Sequence, residues 1–292
     1  MVASGALGFD GKGWLWEQPL VWLGLIQPEL FTVVMRTVTR QPRLYPVCNL
    51  SWIRPWTWLP WSPWSCVRFL KDGGTVNKVG LYNPGIDWWC KKVAPRIDFH
   101  RVPLVASIYG DKRELVESAI KFNLFDFVGI EVNDSCPNTG HGMAQVETIV
   151  ENVKEVRKVS RHPVIIKVSV AQDYLAIARM LEGIAEAISL NSVPWNIAFP
   201  NGEITPLAKL EKRVSGGGGG VSGKPAQCEN WKAVATLAAQ RKLPVIGPSV
   251  MNENDVQTVR RYGASAISFG AIHLRTPWKP TTIVRKEMEG KK

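Results

Sequence analysis

Asn133-Asp134-Ser135-Cys136-Pro137-Asn138 sets one thiol between two carboxamides. Asn offers a carbonyl acceptor and an NH2 donor, so two of them can read the edge of an amide or imide. A thiol with an ordinary pKa of about 8.5 can serve as a base, more so beside a cation. The segment follows an apolar run, Phe127-Val128-Gly129-Ile130, as a loop follows a strand. Taken alone, the string fits a structural turn around a buried, inert thiol equally well.

Periodicity supplies the elements that would position this loop. Short apolar runs at Val2–Ser4, Phe31–Met35, Pro103–Ile108, Phe125–Glu131, Pro163–Val168, Ala187–Leu190, Leu243–Gly247 and Ala266–Phe269 read as strands. Most lack alternation, as strands covered on both faces do. Helical patterns at Asp111–Phe122, Ala144–Val159, Gln172–Ala187, Asn230–Gln240 and Asn252–Tyr262 lie between them. Eight strands in βα order predict an α/β chain, a single (β/α)8 TIM barrel over residues 1–292, with a doubly wound open sheet as the alternative. Long loop insertions are expected over the C-terminal mouth, at about 37–80 and about 194–225. The first interleaves Trp52, Trp56, Trp58, Trp61 and Trp64 with Pro42, Pro46, Pro55, Pro60 and Pro63, a proline density that forbids a long helix. It reads as a loop whose indoles pack on the barrel or a partner, in preference to a membrane-surface patch.

Barrel active sites lie at the C-terminal strand ends. Those ends carry Ser4-Gly5, Arg36-Thr37, Asn133–Asn138, Lys167, Asn191-Ser192, Gly247-Pro248-Ser249 and Gly270-Ala271. Small, amide and cationic residues suit an anionic, planar, hydrogen-bonding ligand. Without a pair of carboxylates, the set argues against glycoside hydrolysis.

Composition narrows the classes further. A net charge of +11 suits an anionic ligand or partner, but no Lys/Arg run of five or more marks a nucleic-acid patch. Cys48, Cys66, Cys90, Cys136 and Cys228 are odd in number and widely spaced, which fits a reducing cytoplasm rather than a disulfide framework. His100, His141, His162 and His273 form no metal-binding pattern. No apolar stretch is long enough to span a membrane, and the N-terminus lacks a signal-peptide layout.

Several spaced motifs, in order, resemble the dihydroorotate dehydrogenase family. Asn133–Thr139 looks like its signature loop, and Ala3-Ser4-Gly5-Ala6-Leu7-Gly8 its opening strand and flavin-contacting turn. Asn77–Gly85 resembles its N-x-x-G-L-x-N-x-G substrate loop, and Lys167 lies in an I-K-V-S stretch like that of its flavin lysine. Asn191-Ser192, Gly220–Pro225 and Pro244–Gly247 resemble its N-[ST] pair, G-[LV]-S-G segment and seventh strand. The resemblance implies an FMN-dependent oxidoreductase acting on CH–CH groups, oxidising dihydroorotate to orotate in pyrimidine biosynthesis. Cys136 would take the C5 proton while a hydride passes from C6 to flavin N5. A Cys there resembles the soluble class 1 enzymes. Asn77, Asn133, Asn138, Asn191 and Ser192 would hold the pyrimidine, and the backbone of Val79, Gly80 and Leu81 its carboxylate. Lys167 would stabilise reduced flavin. Ala3, Ser4, Gly5, Arg36, Thr37, Ser222, Gly223, Gly247, Ser249, Gly270 and Ala271 would line the cofactor, its phosphate resting on backbone amides. The allowed partners are a second copy and a separate electron-transfer subunit carrying FAD and an iron–sulfur cluster. Neither nucleic acid nor a membrane is expected. A dihydrouridine synthase-like barrel and a non-catalytic family member are the competing readings.

The chain departs from the family pattern at four places. Met35-Arg36 stands for Thr-Lys, a swap that keeps charge but not shape. Pro248-Ser249 stands where Gly-Gly is usual, and proline removes an amide donor. Ala271 replaces a hydroxyl residue, so an altered phosphate site is expected. The first strand starts within two residues of Met1, so the barrel floor is expected to lack its usual cover.

Overall fold

The computed structural model describes residues 1–43, 66–135, 144–208 and 218–290. Cys136, Asn138 and the tryptophans of the first insertion lie outside them. A curled parallel sheet runs through β1 (Val33–Val34), β5 (Leu104–Tyr109), β6 (Gly129–Asn133), β7 (Val164–Val168), β8 (Ala187–Leu190), β11 (Val245–Gly247) and β12 (Ala266–Ile267), in that spatial order. β2 (Val38–Thr39) also pairs with β5, beyond β1. Val2 forms parallel bridges to Val33 at one edge and to Phe269 just past the other. Helices α1 (Lys112–Phe122), α2 (Val146–Val159), α3 (Tyr174–Met180), α4 (Gln227–Gln240) and α5 (Glu253–Arg261) follow successive strands, and α6 (Ala271–Arg275) and α7 (Lys279–Glu289) end the chain.

Strand alternation sorts the two faces. Ala106, Ile130, Ile166, Ile188 and Val245 join the large core shared with Leu115, Val153, Ile177 and Val234 of the helices. Their neighbours Val34, Val105, Ile165 and Ile246 form a separate inner cluster with Ala187 and Ala266. A period of two then carries Ser107, Glu131, Lys167 and Ser189 onto that inner face, one layer nearer the strand ends. Polar groups therefore stand above an apolar inner floor.

The described parts of the two insertions include strands rather than loops alone. They contribute β3 (Val67–Phe69), β4 (Gly74–Asn77), β9 (Val193–Pro194) and β10 (Gly220–Gly223), which pair antiparallel in the order β3-β4-β10-β9. Segments more than a hundred residues apart thus make one small sheet with its own core of Val76, Val193, Trp195 and Val221. Glycine permits the close approach. A Cβ on Gly74 would sit 2.5 Å from Pro225 Cδ, and one on Gly220 2.3 Å from Ser192 Oγ. Sequences such as GTVN and GVSG read as turns because glycine hides the strand signal.

A second aromatic nucleus packs behind the sheet. Trp89 is fully buried, with ring centroids 5.2, 5.5 and 5.3 Å from Phe122, Phe125 and Phe127. Its indole N–H donates to the Phe9 carbonyl at 2.8 Å. The strand expected at Phe125–Glu131 therefore begins only at Gly129, because the phenylalanines fill this nucleus instead of joining the ladder. The helix expected over Gln172–Ala187 stops at Met180, and Gly183 then turns the chain at φ +73°.

Glu17 is a buried carboxyl in the N-terminal turn, accepting from the Trp14 N–H at 2.8 Å. Burial pushes its pKa from 4.5 up to about 7. The folded state thus holds this proton more tightly than the unfolded chain does. Stability from Glu17 is fully present below about pH 4.5 and is lost as pH rises through about 7. Glu17→Gln keeps the acceptor and removes the charge. It is expected to stabilise by roughly 1–3 kcal/mol near pH 8 and to be neutral near pH 4, read by urea denaturation at both.

Candidate active site

A cavity of about 300 Å³ opens at the C-terminal ends of the strands, between the parallel sheet and the small antiparallel one. It collects almost every described residue that the sequence nominated. Ala3, Ser4, Gly5, Arg36, Thr37, Asn77, Val79, Gly80, Leu81, Asn133, Lys167, Asn191, Ser192, Ser222, Gly223, Ser249, Gly270 and Ala271 all line it. Gly247 does not. Inward-facing Ile246 takes the lining position, and Gly247 points outward, where a Cβ would fall 2.6 Å from Val259 and 2.8 Å from Ala264. Its role is close packing of β11 against α5.

A buried polar network organises the floor. Lys167 Nζ donates to Glu131 Oε1 at 3.3 Å, and Ser107 Oγ donates to the same oxygen at 2.9 Å. Ser107 meets Thr37 Oγ1 at 2.8 Å, and Thr37 meets Ser4 Oγ at 3.1 Å. Asn133 Nδ2 donates to Thr37 at 2.9 Å, while Asn133 Oδ1 accepts from Ser135 Oγ at 2.7 Å. Asn191 Nδ2 reaches the Ser135 carbonyl at 3.4 Å. Five strand ends are thereby tied into one hydrogen-bonded ring segment. Each group restricts its neighbour, and the low dielectric strengthens every link. Asp134 faces away from this network toward α2, where Asn152 Nδ2 lies 3.4 Å from it, and burial raises its pKa to about 6.

The loop from Asn77 to Gly85 is pinned by one side chain. Buried Asn83 Oδ1 accepts from the Gly85 and Thr39 N–H groups, and its Nδ2 donates to the Leu81 carbonyl at 2.7 Å. Gly80 and Leu81 both hold positive φ, at 67° and 58°. Leu81 is not glycine, so this conformation is strained, and Asn83 holds it. Arg36 donates to the Tyr82 carbonyl at 2.8 Å and lies over the rings of Phe9 and Trp14, 5.3 and 5.7 Å from their centroids. The cation expected near the ligand is thus partly engaged by aromatic faces.

Glu131, Asn83, Trp14 and Asn230 belong to the site without having been nominated by sequence. Glu131 was legible in principle, since it lies two residues before Asn133 and so on the same strand face. Asn83 falls inside the Asn77–Gly85 motif. Trp14 and Asn230 carry no local signal and reach the cavity only through the fold.

Residues 66–289 match the family model for dihydroorotate dehydrogenase. The chain belongs to the dihydroorotate dehydrogenase family. It is 30% identical over 222 residues to the dihydroorotate dehydrogenase B (NAD(+)) catalytic subunit of Fusobacterium nucleatum, covering 73% of this chain and 71% of the relative. To the same subunit of Caldicellulosiruptor saccharolyticus it is 32% identical, over 70% and 69% of the two chains. In fold it is similar to ligand-free type DHODH from Eimeria tenella, with a TM-score of 0.64 and 18% identity, over 87% of this chain and 76% of that one. The family match starts at residue 66, so Ala3–Gly5 and Arg36 lie outside it. Tertiary structure nevertheless brings them to the cavity of this dihydroorotate dehydrogenase family member. Among the described residues, no helix is long and apolar enough to cross a membrane.

Proposed function

We propose that this chain is the FMN-binding catalytic component of a dihydroorotate dehydrogenase, oxidising dihydroorotate to orotate. The observation that carries the reading is the convergence of Lys167, Asn77, Asn133, Asn191 and Ser192 on one cavity, within a chain of this family. We also read the sheet as a (β/α)8 barrel closed by Met1–Ala3, where Val2 bonds Thr32 and Val34 at one edge and Met1 and Ala3 bond Phe269 at the other, and the chain as a single domain.

The residues present fit FMN. The β6–β7 side of the cavity carries the buried cation Lys167, while the loops after β11 and β12 and the turn of β10 offer small residues, Ser222, Gly223, Ser249 and Gly270, with hydroxyl and amide donors. When bound, FMN supplies a two-electron acceptor for the hydride from C6 of the substrate. Lys167 would hold fixed positive charge where the isoalloxazine gains electron density, with Glu131 and Ser107 fixing its position. Asn77 and Asn191 would bind the amide and imide edges of the pyrimidine, and Asn133, braced by Thr37 and Ser135, would add a third contact. The backbone amides of Val79, Gly80 and Leu81 would receive the substrate carboxylate. Cys136 Sγ would take the C5 proton; it directly follows Ser135, which Asn133 and Asn191 both bond. The relatives' name, catalytic subunit, supports a separate electron-transfer subunit as the partner that passes electrons to NAD.

Purified protein is expected to be yellow and to lose its visible flavin absorbance on anaerobic addition of dihydroorotate. Colourless protein that takes up no added FMN would overturn the cofactor. A bound flavin that dihydroorotate leaves oxidised would overturn the substrate.

A further inference from the structure

Three side chains on one face of α4 hold the turn after β11. Gln227 Nε2 donates to the Ser249 carbonyl at 3.0 Å, and Trp231 Nε1 donates to the Pro248 carbonyl at 3.0 Å. Between them, Asn230 Nδ2 bonds Ser249 Oγ at 3.0 Å. The spacing i, i+3, i+4 places all three on one side of the helix. Gln227 and Trp231 thereby satisfy backbone carbonyls and act as pins.

Asn230 differs from the other two. It is 1% exposed and lines the cavity, yet its amide oxygen Oδ1 has no hydrogen-bond partner among the described residues. Leaving a buried amide atom unsatisfied is costly, so such a group calls for a partner. A half-turn of the carboxamide exchanges oxygen and nitrogen without changing its shape. The Ser249 hydroxyl can donate as well as accept, so the pair persists in either orientation. With the amide oxygen on Ser249, the NH2 becomes the unspent head.

The surroundings fit an anion. Ser222, Gly223, Ser249 and Gly270 line the same cavity. Among the described residues, no carboxylate from β10, β11, β12 or the loops that follow them lines it. Pro248 has no N–H, so the turn lacks one backbone donor. Ser249 holds φ at +67°, a left-handed position that glycine would occupy more easily. Keeping serine there retains the hydroxyl that orients Asn230.

We propose that Asn230 donates its amide N–H to the phosphomonoester of the bound flavin, replacing the backbone donor that Pro248 removes. The proposal rests on the FMN reading above and adds a phosphate-binding residue to it. The test titrates flavin-stripped, full-length protein with FMN and with riboflavin, which lacks the phosphate, and follows flavin fluorescence. Asn230→Ala is expected to weaken FMN about tenfold. Asn230→Asp, nearly isosteric and negatively charged, is expected to weaken it about 50-fold, with riboflavin changed less than about threefold in both. Equal losses for FMN and riboflavin in the Asn230 variants, or no loss for either, would overturn the assignment. Native protein that binds neither flavin would overturn the cofactor reading and this inference together. Native protein that binds FMN, with Asn230→Asp unimpaired, overturns the inference alone.

Discussion

Lys167→Met is expected to lower dihydroorotate turnover by about 10²–10³-fold, the usual effect of removing a preorganised charge from a dry site. Lys167 is buried, in the strand layer just above the apolar floor, and pairs with Glu131 at 3.3 Å. A second effect accompanies the first. Glu131 would keep Ser107 as a donor but lose its cation, and breaking a buried pair on one side destabilises by about 3–5 kcal/mol. The two effects separate in a double variant. Lys167→Met with Glu131→Gln removes the orphaned charge, so thermal stability should largely return while turnover stays low. Recovery of turnover in the double variant would show that Lys167 serves only to neutralise Glu131.

Trp89→Ala should destabilise the fold by about 4 kcal/mol or more. The indole fills the nucleus among Phe122, Phe125 and Phe127, and its loss would leave a large cavity in rigid surroundings. It would also orphan the buried Phe9 carbonyl. Trp89→Phe, which keeps a ring but not the N–H, should cost only about 1–2 kcal/mol. The effect extends to the site, because Phe9 lies under Arg36, whose side chain adjoins Gly5. Flavin affinity is therefore expected to fall in Trp89→Ala even where the protein remains folded. A loss below about 1 kcal/mol in urea denaturation would mean that the nucleus can collapse around the gap.

Ordered motifs make most of the site legible in the amino-acid sequence. The strand ends nominated by sequence converge on one cavity, because parallel βα units place every C-terminal strand end on one side of the sheet. Ala187–Leu190 is a strand with the expected bounds, and α1, α2 and α5 lie within two residues of theirs. Misplaced boundaries trace to residues whose partners are distant in sequence. Phe125 and Phe127 look like strand residues, but Trp89 claims them. The insertions look like loops, yet Gly74–Asn77 and Gly220–Gly223 are strands that pair with each other across 143 residues and with β3 and β9 at their outer edges.

By itself, the sequence determined the family, the residue types nominated for the site and the βα order, since these rest on local patterns of residue type. Only tertiary structure decided how those residues are held. Which face Gly247 presents, how Glu131 and Ser107 brace Lys167, how Asn83 locks a strained loop and how Asn230 reaches the Pro248-Ser249 turn all depend on contacts across the sheet. Hydrogen bonds among them join residues 19 to 44 positions apart, where no local periodicity can record them.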